Sequence, residues 1–147
     1  MKFNYAFQKI VDLKANEKVQ AEWMLSAALG VLKEEQDNLE QLQSDKEMMD
    51  TAIHNAAIEK ASLLKLQSMH HYASYLERRI EDKSRDVNHA EQHVVTRKSH
   101  LGSKMQDENV WKKSKDKAWT VFRHQMLGRE QGELDEMATV RFVMRSR

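Results

Sequence analysis

Three histidines recur at helical spacing in the middle of the chain: His89 and His93 bracket the stretch HAEQH, and His100 follows one heptad after His93. One helical turn sets the first two on a common face, the arrangement by which imidazoles hold a divalent metal. A zinc-protease motif needs a glutamate directly after the first histidine to act as general base, and Ala90 stands there instead. No carboxylate is fixed opposite them, so histidines flanking a helical seam are the better reading. His70 and His71, beside Tyr72, are candidates for a pH sensor near the hairpin tip, but surface decoration is the better reading.

No other reactive constellation is present. The chain has no glycine-rich phosphate loop, no nucleophile elbow and no cysteine, so no catalytic residue, metal or cofactor is expected. The segment WKKSKDKAW, residues 111–119, interleaves tryptophan with lysine as phosphate-binding faces do. Its lysines nevertheless lie among Asp107, Glu108 and Asp116, and the whole chain carries a net charge of only +1. Nucleic acid is therefore not an expected partner, nor does the narrow apolar face suit a membrane surface. Trp111 and Trp119 read as anchors in a seam or against a partner.

The elements that must position these residues follow from composition. The 147 residues contain no proline and 4 glycines, and 32% are charged. Turns are usually built from glycine and proline, so a chain this poor in both is expected to be all-α. Aromatics make up 7%, which suits a thin seam better than a thick core. No apolar run approaches the roughly 18 residues of a membrane span, and MKFNYAFQKI has no signal-peptide core. A soluble, intracellular, elongated protein is expected.

Ala21, Leu25, Ala28, Leu32, Glu35, Leu39, Leu42, Lys46, Met49, Ile53 and Ala56 alternate by fours and threes. A mean period of about 3.5 is the heptad seam of a left-handed coiled coil. Phe3, Phe7, Ile10 and Leu13 extend an apolar face upstream, with a register adjustment expected near Glu17. A second seam runs through Tyr72, Leu76, Ile80, Lys83, Val87, Ala90, Val94, Arg97 and Leu101, and Met105, Trp111, Ala118, Trp119, Phe122 and Met126 prolong its apolar face. These patterns predict one elongated coiled-coil domain over residues 1–147: a first helix over about 4–55, a reversal within about 54–68, a second helix over about 68–127 and a tail over 128–147. Ser62 and Ser68 are both candidate N-caps for the second helix.

Charge selects the partner of each helix. Residues 1–60 hold 7 Lys and 11 Asp plus Glu, whereas the remainder holds 17 Lys plus Arg and 12 Asp plus Glu. A parallel homodimer sets like charge against like, while an antiparallel hairpin sets the acidic helix against the basic one. Matching apolar positions places residue i opposite about residue 129 − i, pairing Leu42 with Val87, Leu39 with Ala90, Ile10 with Trp119 and Phe7 with Phe122. The paired rod is then roughly 80 Å long. Everything beyond Gly128 has no partner, and GREQGELDEMATVRF reads as a helix restarted after two glycines, with an apolar stripe of Leu134, Met137 and Met144 open to another protein.

The opening FNYAFQKIVDLKANEK, the central SMHHYASYLERRI and the closing ELDEMATVRF together resemble the FliJ family of flagellar protein-export components, related to the YscO proteins of type III secretion. The resemblance rests on Phe7, Ile10, Leu13, Lys14, Glu17 and Lys18, on the block from Tyr72 to Leu76, and on Leu134, Asp135, Glu136, Ala138 and Arg141. It implies a long antiparallel two-helix coiled coil, similar to the stalk of the rotary ATPase γ subunit and without activity of its own. It further implies a place in the hexameric flagellar export ATPase ring, promotion of ring assembly, a link to the cytoplasmic domain of the transmembrane export gate, and handling of export chaperones. Such a protein is cytoplasmic, peripheral to the inner face of the cell membrane at the flagellar base, and reaches the membrane only through its partners. By the same resemblance Phe7, Ile10, Leu13, Leu134, Asp135, Glu136 and Arg141 face the ATPase, and Leu42, Met49, Tyr72 and Tyr75 face the gate. Asp45 and Met49 depart from relatives that carry aromatics at these places on the first helix. A generic coiled-coil scaffold or secretion chaperone, and a helical nucleic-acid-binding protein, are the alternatives.

Overall fold

The computed structural model describes residues 2–146, nearly all of them in two helices. Helix α1 spans Gln8–Ile58 and helix α2 spans Leu63–Ser146, and no strand occurs among the described residues. The two pack as an antiparallel all-α hairpin, in agreement with the charge argument.

The reversal occupies only the four residues between the helices, a much tighter connection than the window of about 54–68 that the sequence allows. Lys60 adopts a left-handed backbone conformation with φ of 58°. The Ala61 amide reaches back to the Ala56 carbonyl at 3.0 Å, and the Lys60 amide to the Ala57 carbonyl at 3.2 Å. These two bonds are those of a Schellman cap, with lysine at the position where glycine is usual. Ser62 then caps α2, its Oγ accepting from the Lys65 amide at 3.3 Å. The second helix accordingly starts at Leu63 rather than near residue 68, because Ser62 is the working N-cap.

The chain divides into two compact units, Gln20–Gly102 and Met1–Val19 with Ser103–Arg147. In the first, all eleven expected seam positions from Ala21 to Ala56 turn inward. Ala21, Ala28 and Ala56 are buried against a row containing Ala73, Leu76, Val87, Ala90 and Val94. Alanine at these layers lets the two backbones approach closely, so dispersion contacts compensate for the small side chains. Tyr72 is a correction: it is 47% exposed, and Ala73 takes the seam position beside it.

In the other unit Val11 is buried and Phe3, Ile10, Trp111, Ala118 and Phe122 are half-buried. Leu13 is 52% exposed and Met105 47%, so neither belongs to the seam. No register adjustment is needed near Glu17. The seam runs by threes and fours through Val11, Lys14 and Lys18, and two lysines at inward positions disguise that continuity.

The pairing register is also corrected, by one heptad. In the 20–102 unit Glu35 pairs with Lys83, Lys46 with Glu77 and Met24 with Arg97. In the other unit Phe3 packs on Trp119 and Phe122 at ring separations of 5.2 and 5.3 Å, and Phe7 packs on Trp111 at 5.9 Å. Residue i thus lies opposite about residue 122 − i, not 129 − i. A one-heptad slip keeps every seam position facing another seam position, so matching the apolar stripes cannot detect it. The polar positions can: the expected register sets Lys46 opposite Lys83, whereas the observed one gives Lys83 to Glu35.

Candidate docking surface

Helix α2 does not stop at the glycines. It continues unbroken through Gly128 and Gly132 to Ser146, so the last stretch is a continuation of α2 rather than a restarted element. Every described residue from Leu127 onward is exposed. Among the large apolar side chains there, Leu134 is 61% exposed, Met137 55% and Met144 73%. Val140 and Arg141, with Glu133, Glu136 and Met137, border a shallow groove.

The tail keeps a heptad rhythm of its own. Phe122, Met126, Glu130 and Leu134 are spaced by fours, and this delay rotates the apolar stripe away from the rod seam. From Leu127 the stripe proceeds through Glu130, Leu134, Met137, Arg141 and Met144 in strict threes and fours. Asp135 is oriented within the tail: its carboxylate accepts from Gln131 Nε2 at 3.1 Å, and its backbone carbonyl accepts from Thr139 Oγ1 at 2.8 Å.

The residues expected to face the ATPase fall into two groups. Leu134, Asp135, Glu136 and Arg141 all lie on the exposed tail. Phe7, Ile10 and Leu13 lie on α1, and Phe7 stacks edge-on against Trp111, roughly 35 Å along α2 from Leu134 at 1.5 Å per residue. The structure therefore does not gather the seven into one patch. The residues expected to face the gate also divide. Leu42 and Met49 are half-buried in the seam, while Tyr72 and Tyr75 are exposed and their rings stack at 6.1 Å and 28°. Sequence reading missed Leu127, Val140, Phe142 and Val143, which are also exposed along the tail. The rhythm of threes and fours was the available signal for Leu127; Val140, Phe142 and Val143 lie off it.

The unit that holds the tail also holds a polar layer. Glu108 is only 4% exposed, and Lys112 Nζ at 2.7 Å and Lys18 Nζ at 3.4 Å both reach its Oε1. The Lys112 hydrogen bond, aided by Lys18, outweighs burial and holds the Glu108 carboxyl below its ordinary value. Nearby Glu17 takes Lys14 and Lys104, each at 3.4 Å. Burial opposes its ionisation, but Lys104 and Lys14 together prevail and its carboxyl is also lowered.

Among the described residues, no group of three or more His, Asp or Glu side chains is placed to hold a metal, and no helix is long and apolar enough to cross a membrane. The family model described as "Flagellar FliJ protein" matches residues 2–147. The chain belongs to the flagellar FliJ family. A flagellar FliJ protein of Bacillus subtilis (strain 168) is 20% identical over 151 residues, covering 98% of each chain. No solved structure matches. Membership makes the chain a flagellar export component, and the tail of α2 is an exposed apolar surface of it.

Proposed function

We propose that this FliJ-family chain is a non-enzymatic stalk of the flagellar export machinery. It inserts into the hexameric export ATPase ring, promotes ring assembly, links the ring to the cytoplasmic domain of the export gate and assists in handling export chaperones. The observation that carries this reading is the helical extension from Leu127 to Ser146, whose apolar stripe lies open on a continuous helix. A stripe of this kind is complementary to a hydrophobic groove on another protein. A helix with two internal glycines is weak alone, each glycine costing about 1 kcal/mol relative to alanine, so docking would supply the stabilisation it lacks.

On this proposal Leu134, Asp135, Glu136 and Arg141 contact the ATPase directly, and Phe7, Ile10 and Leu13 form a separate contact upstream. Tyr72 and Tyr75 contact the gate through their exposed rings, while Leu42 and Met49 support that face from within the seam. ATP hydrolysis by the cognate export ATPase, measured with and without saturating amounts of the full chain, tests the proposal. Stimulation together with more hexamer is expected; no effect on either refutes the stalk and leaves a generic scaffold.

A further inference from the structure

The six stripe positions of the tail have a property that one copy cannot use. Four of them, Leu127, Leu134, Met137 and Met144, are apolar, and two, Glu130 and Arg141, carry opposite charge. Two tails laid antiparallel with residue i opposite about residue 271 − i bring Leu127 to Met144, Leu134 to Met137 and Glu130 to Arg141. Each pairing occurs twice by the two-fold symmetry of such a contact. The flanks agree on balance, since Arg129, Glu130, Glu133 and Asp135 precede the midpoint and are acidic in sum, whereas Glu136, Arg141 and Arg145 follow it and are basic in sum. A parallel arrangement does the reverse, setting Glu130 on Glu130 and Arg141 on Arg141.

We infer that the tail pairs with the tail of a second copy of this chain, antiparallel, through Leu127 to Met144. The exposure of Leu134, Met137 and Met144 on a continuous helix makes the face available. The paired length is roughly 26 Å at 1.5 Å per residue, fewer than three heptads, so the contact is weak, reversible and dependent on concentration. It uses the surface assigned above to the ATPase, and the two occupants exclude each other; self-pairing covers the stripe until the partner displaces it. The inference does not depend on the ATPase reading, because its test contains no ATPase.

The test is sedimentation equilibrium of the full chain from low to high micromolar concentration, with Glu130→Arg and Arg141→Glu variants. Wild type is expected to form dimers that weaken as salt is raised. Each single variant places like charges together in both symmetry-related pairs and is expected to lose about tenfold or more in association. An equimolar mixture of the two variants restores both opposite-charge pairs, so dimer returns in the mixture, which also shows that each variant is folded. A wild type that stays monomeric throughout, single variants that associate as wild type does, or a mixture that fails to recover would each overturn the inference.

Discussion

Lys83 Nζ lies 2.9 Å from Glu35 Oε2, across the hairpin and close to the seam. The contact is an ion pair. The adjoining Glu35 carboxylate raises the Lys83 ammonium above its ordinary value despite partial burial. A polar group in a seam contributes little net stability but penalises every register that leaves it facing apolar or like-charged neighbours.

Reversing one member of this pair should therefore destabilise the hairpin, and reversing both should restore it. Glu35→Lys and Lys83→Glu are each expected to lower the thermal midpoint followed by circular dichroism. The double variant should recover most of the loss. Equal, additive losses in the double variant would show that the two residues do not face each other.

Seam and surface residues should separate cleanly. Leu76 is 2% exposed, and Leu76→Ala is expected to cost about 2–4 kcal/mol in urea unfolding. Leu13→Ala, at an exposed position, should stay within about 0.5 kcal/mol. A large loss for Leu13→Ala would return that residue to the seam.

The reversal offers a stabilising change. Lys60 holds a left-handed conformation that costs a non-glycine residue roughly 1 kcal/mol. Lys60→Gly should gain up to about 1 kcal/mol, offset by the greater freedom of glycine in the unfolded chain. Ser62→Ala should lose about 1 kcal/mol with the cap.

Acid should loosen the polar layer. The Glu108 and Glu17 carboxyls are held below the ordinary value of 4.5 in the folded chain. Their contribution is complete above that value and is lost as pH falls below it through the lowered folded-state values. The thermal midpoint should fall as pH drops below about 4.5, and Glu108→Gln should flatten that fall. An unchanged acid limb in the variant would remove Glu108 from the account.

The seam from Ala21 to Ala56 was legible because nine of its eleven residues are apolar and the period never slips. Its upstream continuation was not, because Lys14 and Lys18 occupy inward positions and Leu13 beside them mimics a seam residue. Tyr72 misled in the same way next to the small Ala73. The reversal escaped reading because lysine rather than glycine supplies the left-handed residue. Register was hidden for a different reason, since heptads repeat and only the few charged seam positions break the degeneracy. The open tail was visible as an apolar stripe, but its continuity with α2 was obscured by Gly128 and Gly132, where a helical backbone passes through open space without interruption.

Hexamer formation by the export ATPase, followed by light scattering with the full chain and with a chain lacking residues 128–147, tests the central claim most directly. The account predicts that the full chain promotes hexamers and the shortened chain does not, while the shortened chain keeps the thermal midpoint of the hairpin. Undiminished promotion by the shortened chain would contradict it, as would collapse of the hairpin on removal of the tail.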